Sequence, residues 1–243
     1  MIRMQSWDEA KSGKRPRQHE NFEGFITDFI ETADSRSVVA QAYLVEQNPN
    51  WVTPAHFHLE HQFQVVTAGS GAIGRHAVQP LAVHYASPET GYGPITAGPE
   101  GVSYLTLRAV ADTGAWYLHN PEQRAKMRRE IKKRQAHAAP EKSVSAETLR
   151  SLNTPSTEEL IAPLENGLAA HLLRLPPNQT LTLPSPHSHA GRFYIATGGS
   201  MRVAGKELRA LATVYASFDE ILPIASGADG LEVLVLQFPR DAV

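Results

Sequence analysis

Residues 56–71, HFHLEHQFQVVTAGSG, decide the fold because residues 187–201, HSHAGRFYIATGGSM, repeat their features. Each stretch begins with His-x-His and continues through a short apolar run into a Gly-Ser turn. Two further stretches follow in the same order: HYASPETGYGPITAGPEGVSYLTLRA (84–109) and VYASFDEILPIASGADGLEVLVLQF (214–238). These share a Tyr-Ala-Ser segment, a Pro-Ile-x-x-Gly-x-x-Gly turn and a closing alternating strand. An internal repeat of this kind predicts two copies of one structural unit.

Short runs of alternating apolar residues within each half predict antiparallel β-strands. VSYLTLRAV (102–110) and LEVLVLQF (231–238) are examples, and Gly, Pro, Asn or Asp interrupts such runs at short, regular intervals. This spacing is typical of a sandwich or a small barrel. We therefore divide the chain into an N-terminal arm (1–21), a first barrel (22–115), a linker (116–149) and a second barrel (150–243).

The segment between the two halves has a helical pattern. In NPEQRAKMRREIKKRQAHAA (120–139), Asn120 can cap a helix, Pro121 suits its first position and good helix formers follow. The pattern predicts a linker helix over most of 121–138. Residues 122–134 contain seven Lys or Arg against two Glu, which would suit a phosphate-binding surface. A solvated helix is the favoured interpretation, because no aromatic residues interleave with the basic ones.

Composition excludes several classes of site and partner. The formal charge of −2 gives no whole-molecule field that would attract nucleic acid or an acidic membrane. Without cysteine there is no disulfide, thiolate metal site or cysteine nucleophile, so a metal would need His, carboxylate, amide or phenol ligands. The N-terminus has no apolar core of signal-peptide length, and no stretch approaches the roughly 20 apolar residues that span a bilayer. We expect a cytoplasmic protein with neither nucleic acid nor membrane as a partner.

His56 and His58 form the main candidate site. They lie two residues apart in a segment that is predicted to be extended, so both side chains project from one face. Gln62 follows on the next strand, and two imidazoles with one oxygen donor can hold a divalent ion while leaving positions for water or substrate. Gln64 shares the inward face with Gln62 and is a candidate for a hydrogen bond to substrate. The alternative is that the His pair is merely polar surface.

The string His56-x-His58-x-x-x-Gln62, with Gly69 seven positions later, resembles the first motif of the cupins. In that family two His and a Glu ligate a metal, and a glycine turns the chain. The resemblance in both halves implies a bicupin, an all-β protein with two double-stranded β-helix barrels whose interiors form pockets. It further implies a divalent transition metal (Fe, Zn, Mn or Ni) on His56, His58 and Gln62, and a homodimer as the assembly.

Two positions depart from the cupin pattern. Gln62 stands where the family has Glu, and its neutral amide can offer an oxygen but adds no charge. The His of the second cupin motif aligns near Tyr92, which could ligate as phenolate or act as acid or base if its pKa were lowered. Tyr92 and Gln64 are therefore the candidate catalytic residues.

The second half predicts a different site. When the Gly-Ser turns are aligned, Arg192 and Tyr194 take the positions of the two inward glutamines. The guanidinium of Arg192 is always charged and would repel a cation beside His187 and His189, so we expect a metal in the first barrel alone. Two interpretations stay open: an anion pocket formed by these four residues, or a degenerate barrel kept for stability and assembly. The degenerate barrel is favoured.

These patterns favour a metal-dependent enzyme that acts on a small, oxygen-rich or enolisable molecule. Iron with dioxygen would give a dioxygenase, which is weakly favoured. Zinc, manganese or nickel would give an isomerase, lyase or decarboxylase. The alternative from another class is a non-catalytic bicupin that binds a small molecule.

Overall fold

A computed structural model describes residues 1–30, 39–128, 130–141, 144–183 and 190–242. The chain forms two compact units. The N-terminal unit is Lys11–Ala138, and the C-terminal unit is Met1–Ala10 with Ala139–Val243. Both consist mainly of antiparallel strands with few helices, so the prediction of a β-rich protein is confirmed.

One antiparallel sheet forms most of the N-terminal unit. Its strands and short helix are β2 (Arg15–His19), β3 (Phe22–Ile30), β4 (Gln41–Gln47), β5 (Val52–Thr53), β6 (His56–Phe57), β7 (Gln62–Ile73), β8 (His76–Val78), β9 (Val83–Ala86), β10 (Ile95–Arg108), β11 (Trp116–Tyr117), α2 (Pro121–Arg124) and β12 (Gln135–Ala138). Within the described residues the strand order is β12-β9-β7-β10-β4-β3-β2. In addition, β5 pairs with β10, β8 pairs with β7, and β6 pairs with β11. The adjacent strands β4, β7 and β10 together position the candidate site.

The C-terminal unit contains a second antiparallel sheet. Its elements are β1 (Ile2–Gln5), α1 (Trp7–Ala10), α3 (Ala146–Ser151), β13 (Ser156–Ile161), β14 (Ala169–Leu175), β15 (Thr180–Thr182), β16 (Gly191–Val203), β17 (Lys206–Arg209), β18 (Thr213–Ser217) and β19 (Pro223–Phe238). Across the described part of this unit the order is β1-β18-β16-β19-β14-β13, with β15 on β19 and β17 on β16. A cluster of buried apolar side chains from β14, β16, β18 and β19 forms its core.

The two sheets share their strand order, as the sequence repeat predicts. The strand that follows each His pair, β7 or β16, lies between the Tyr-Ala-Ser strand and the long closing strand. Gly69 and Gly199, at φ of +70° and +67°, mark the same irregularity in these central strands. A β-carbon at either glycine would overlap the carbonyl oxygen of the facing strand, so both glycines are required by a positive φ and a close approach.

The N-terminal segment is not the separate arm that the sequence predicts. Residues 2–5 form β1, which pairs with β18 of the C-terminal unit, whereas residues 15–19 form β2, which pairs with β3 of the N-terminal unit. The stretch 1–21 is thus divided between the units. The apolar and polar residues of Ile2–Gln5 alternate, but four residues are too few to signal a strand whose partner lies more than 200 residues away.

The prediction of a helix over most of 121–138 is wrong. Asn120 caps the helix by accepting from the backbone N–H groups of Glu122 and Gln123, but α2 ends at Arg124. Residues 135–138 instead form β12 on the edge of β9, and Arg128 is held through its backbone N–H and guanidinium by the buried carboxylate of Glu89. Tertiary pairing therefore overrides the helical propensity of a segment whose like charges already disfavour a helix.

Candidate active site in the N-terminal unit

A cavity of about 450 Å³ lies within the N-terminal unit, and its size is ordinary for a small-molecule pocket. Strands β2, β3, β4, β7 and β10 contribute to its lining, together with the loop that follows β10. The polar residues of the lining are Arg15, Arg17, His19, Asp28, Gln41, Tyr43, Thr53, His56, His58, Gln62, Gln64, Tyr92, Tyr104, Thr106, Asp112, Thr113 and Tyr117. All five residues that the sequence predicts for the first site therefore face one space.

His56 is held in a single tautomer. Its Nδ1 lies 2.8 Å from the backbone carbonyl oxygen of Pro54, which can only accept, so Nδ1 carries the proton. Burial, together with the neighbouring His58, lowers the pKa of His56 to about 3, and the ring is neutral at neutral pH. Its Nε2 must then be an acceptor, and the hydroxyl of Tyr92 donates to it over 2.9 Å.

His58 is oriented in a similar way by a carboxylate. Its Nδ1 lies 2.5 Å from Oδ2 of Asp112, and burial with the Arg108 charge keeps the pKa of His58 below its usual value. Burial alone would raise the pKa of Asp112, but the His58 hydrogen bond and the Arg108 charge lower it below its ordinary value. Nδ1 of His58 also lies 3.1 Å from Nη2 of Arg108, which can only donate, but the shorter contact with the carboxylate favours the tautomer that carries its proton on Nδ1 and its lone pair on Nε2.

A chain of hydrogen bonds with one direction crosses the site. Arg108 donates from Nη2 to Oε1 of Gln62 over 2.8 Å, and Gln62 donates from Nε2 to the Tyr92 hydroxyl over 2.5 Å. The Tyr92 hydroxyl in turn donates to His56. The guanidinium can only donate, so it fixes which end of the Gln62 amide is the oxygen. Burial raises the pKa of Tyr92, so its hydroxyl is a neutral donor in this network.

Arg108 is the central charge of the site and is only 1% exposed. Besides Gln62, its guanidinium donates from Nη1 to Oε1 of Gln41 over 2.5 Å and to the Tyr43 hydroxyl over 3.1 Å. Burial would lower the pKa of Arg108, but Tyr43 and Asp112 raise it above its ordinary value. The site therefore contains a permanent cation beside the His pair, with Asp112 as its charge partner.

Gln64, the second candidate for a catalytic role, is buried and faces the cavity. Its Oε1 accepts from Nδ1 of His84 over 2.8 Å. No motif singles out His84, but burial and the neighbouring His137 lower its pKa to about 3. The amide N–H groups of Gln64 are thus the part of this side chain that can donate to a ligand.

The second predicted pocket has no equivalent geometry among the described residues. Arg192 donates from Nε to Oε1 of Gln237 over 2.8 Å, and Tyr194 belongs to the apolar core of the C-terminal unit. Its other two members, His187 and His189, lie outside the described residues. Arg192 also hydrogen-bonds the side chain of Tyr194, so the structure brings these two members together, and the pocket as a whole stays a prediction.

Sequence reasoning missed Arg108 and Asp112. The signal for Arg108 was available, because alternation along β10 puts Tyr104, Thr106 and Arg108 on one face, and the first two line the cavity. Asp112 lies in the loop after β10, where no periodicity marks it. Its proximity to His58 depends on how that loop folds back over the strand.

No family model matches the sequence, and no curated protein matches it. Solved structures do match. A protein of Nostoc punctiforme named a "putative dioxygenase" aligns with a TM-score of 0.57 and 12% identity over 100% of this chain and 81% of that chain. Oxalate decarboxylase from Bacillus subtilis aligns with a TM-score of 0.59 and 13% identity over 98% of this chain and 76% of that chain.

Both of these proteins have the cupin fold. The chain therefore has a cupin-type fold. A further structure of the Bacillus subtilis decarboxylase, with a TM-score of 0.56 and 13% identity over 95% of this chain and 76% of that chain, concerns its Mn(II) centres. Identities of 12–13% establish a shared fold and leave the site to be judged from its own residues.

The side chains of this site fit a metal only in part. Both imidazoles are neutral, and each anchors its Nδ1–H on an acceptor, which is the usual arrangement of metal-ligating histidines. Gln62 does not fit, because Arg108 engages its oxygen and its NH₂ group points to Tyr92. In the described part of the chain, no three His, Asp or Glu side chains converge in a way that could hold a metal ion.

The same part contains no helix long and apolar enough to cross a membrane.

Proposed function

We propose that the N-terminal unit is a metal-dependent cupin enzyme that acts on a small molecule bound in the cavity. One observation carries the proposal: His56 and His58 both donate from Nδ1, one to a carbonyl and one to a carboxylate, so the Nε2 lone pair of each ring can serve as a ligand once Tyr92 releases His56. His56 and His58 would hold a divalent transition metal, and the remaining positions would be open to water or substrate. The solved neighbours, which include a manganese enzyme, support this choice.

A bound ion would supply Lewis-acid chemistry, and iron would in addition permit the dioxygenase reaction that we favour over decarboxylation. The chain's own residues have separate roles. Tyr92 keeps its proton because burial raises its pKa, and it would donate that proton to developing negative charge on a substrate once a bound ion has displaced it from His56. Gln64 would orient the substrate through its amide N–H groups.

A non-catalytic binding protein is the second candidate function, and the Arg108 network favours it. In the described geometry Tyr92 occupies the lone pair of His56, and Arg108 occupies the oxygen of Gln62. A cation would have to release Tyr92 and tolerate the guanidinium nearby. A cavity of this kind can bind a small molecule without a metal.

The proposal includes a bicupin architecture. Each unit would be a double-stranded β-helix barrel, the first within 22–115 and the second within 150–243. The shared strand order of the two sheets supports this. A homodimer is part of the same proposal, and sedimentation equilibrium would test it.

Elemental analysis of protein purified without chelator or nickel resin tests the metal. We expect about one transition-metal ion per chain in the wild type. The double variant His56→Ala/His58→Ala should lose it. The matched control His187→Ala/His189→Ala changes a His-x-His pair in the other half and should retain it.

Metal-free wild type that cannot be loaded with Mn, Fe, Zn or Ni would exclude the enzyme proposal and leave the binding protein. Equal metal loss from both double variants would show that the metal does not depend on the first pair specifically. Circular dichroism of each variant separates metal loss from unfolding.

A further inference from the structure

The mouth of the cavity has an excess of positive charge. Arg15 and Arg17 lie two residues apart on β2, so they share a face, and both line the cavity. Arg15 is paired with Asp28, with Nη1 and Oδ2 2.6 Å apart. Arg17 has no carboxylate partner among the described residues and is exposed. One guanidinium at the entrance is thus available to a ligand.

Besides Arg17, the lining of the cavity contains two tyrosine hydroxyls that can donate hydrogen bonds to a ligand. The hydroxyls of Tyr104 and Tyr117 line the cavity and have no hydrogen-bond partner in the described part of the chain. Burial raises the pKa of both, so both keep their protons. Each of the two carboxylates in the lining is engaged through one oxygen, Asp28 by Arg15 and Asp112 by His58. The second oxygen of each is buried and has no hydrogen-bond partner among the described residues.

We propose that the ligand of this cavity is a small organic acid whose carboxylate binds Arg17 at the mouth. Its remaining oxygens accept from Tyr104 and Tyr117, and the body of the molecule extends towards His56 and His58. A guanidinium binds a carboxylate through two parallel hydrogen bonds, which a neutral group cannot reproduce. The role of this acid as a substrate rests on the enzyme function proposed above, whereas its binding to the cavity does not.

Isothermal titration with matched acids and amides tests it. The probes are acetate, succinate, adipate and benzoate, each compared with its primary amide, at low and high NaCl. We expect at least one acid to bind about ten- to hundredfold more tightly than its amide, which is the effect of a charge-assisted hydrogen bond. Its affinity should fall as salt rises.

Substitutions of Arg17 test whether this residue binds the carboxylate of the acid. Arg17→Ala should lose about tenfold or more in affinity for the acid, and Arg17→Lys should lose less, because it keeps the charge but not the paired geometry. The control Arg75→Ala removes an exposed arginine of the same unit that lines a separate cleft, and it should bind as the wild type does.

Acids and amides that bind equally well, an unchanged Arg17→Ala, or no binding of any probe would each overturn the carboxylate site. The metal proposal fails independently. Wild type that lacks metal but binds acids through Arg17 would refute the metalloenzyme and keep the carboxylate site. Wild type that contains metal but does not distinguish acid from amide would do the reverse.

Discussion

The two units contain the same Arg–Gln pair of side chains in opposite orientation. In the N-terminal unit Arg108 lies on β10 and donates to Gln62 on β7 over 2.8 Å. In the C-terminal unit the arginine, Arg192, lies on β16, the counterpart of β7, and donates to Gln237 on β19, also over 2.8 Å. The sequence comparison of Gln62 with Arg192 implies that only the second unit places a guanidinium at this position. The structure corrects that inference, because Arg108 brings the same charge to the first unit from the facing strand.

The surroundings of the two pairs differ much more than the pairs do. In the N-terminal unit the residue two positions beyond Gln62 is paired across the sheet with His84 and Thr106. At the same register of the C-terminal unit, Tyr194 is paired with Val214 and Val235. One interior therefore keeps polar side chains around a cavity, and the other packs apolar side chains. The units differ in function because of these strand partners, not because of a single arginine.

Removing each arginine tests this difference with the largest expected effect. Arg108→Met leaves Asp112 without its charge partner and Gln62 and Gln41 without a donor, so the unfolding free energy should fall by about 3–5 kcal/mol. Arg192→Met leaves an acceptor on Gln237 unsatisfied and should cost about 1–3 kcal/mol. Urea denaturation monitored by circular dichroism measures both.

The reciprocal exchange is the control for this prediction. Gln62→Arg with Arg108→Gln recreates in the first unit the orientation that is found in the second. If the pair itself stabilises the unit, the double variant should be more stable than the sum of the single effects predicts. Equal losses from Arg108→Met and Arg192→Met would remove the contrast that we draw between the two interiors.

Replacing Gly69 or Gly199 should destabilise the two units to a similar extent, in contrast to replacing the two arginines. Gly69→Ala and Gly199→Ala each force a β-carbon into a backbone with positive φ and against a facing carbonyl. We expect each to lose about 1–3 kcal/mol of unfolding free energy, with similar values for the two units. Chemical denaturation of the two variants side by side provides the measurement. A large cost at one glycine and none at the other would mean that the shared bulge is not structurally equivalent.

Mild acid should lower the stability of the N-terminal unit before that of the C-terminal unit. The expected change for each histidine is the smallest of the effects predicted here. The pKa values of His56 and His84 are lowered to about 3, so the unfolded chain binds more protons than the folded one below pH 6.5. Stability is complete above that pH and falls as the pH decreases, by about 1 kcal/mol per histidine between pH 7 and 5.5. In the described part of the C-terminal unit, His171 is the only histidine.

Hydrogen exchange with mass spectrometry can follow each unit separately across this range. Carboxylates titrate mainly below pH 5, so the window from 6.5 to 5.5 isolates the histidines. Amide exchange that accelerates equally in both units would contradict the assignment of the effect to His56 and His84.

The repeat, the β-rich class and the cluster of candidate residues in the first half were all predictable from the sequence. His56, His58, Gln62, Gln64 and Tyr92 do line one cavity. Alternation and a twofold order of motifs are strong signals because they constrain many positions at once. Metal ligation by the His pair stays a prediction, since orientation of side chains is necessary for it but not sufficient.

The parts that sequence could not predict depend on contacts between distant residues. Arg108 reaches Gln62 across paired strands, and Asp112 reaches His58 from a loop. The sequence of the basic segment near Arg128 predicts a helix, but in the structure this segment pairs with the edge of β9, and Arg128 binds the buried carboxylate of Glu89. Local propensity cannot weigh such partners, because they are separated by tens of residues.

The pairing of β1 with β18 sets an order of events during synthesis. The N-terminal unit can fold as soon as its last strand has left the ribosome, but Ile2 meets its partner Ala216 only near the end of the chain. At about 5–20 residues per second, roughly 200 residues separate the two strands by on the order of 10–40 seconds. For that time β1 lacks its β18 partner, and until β1 pairs with it, the edge of β18 is open to other strands. Strand β1 therefore waits for the later-made strands of the unit to which it belongs.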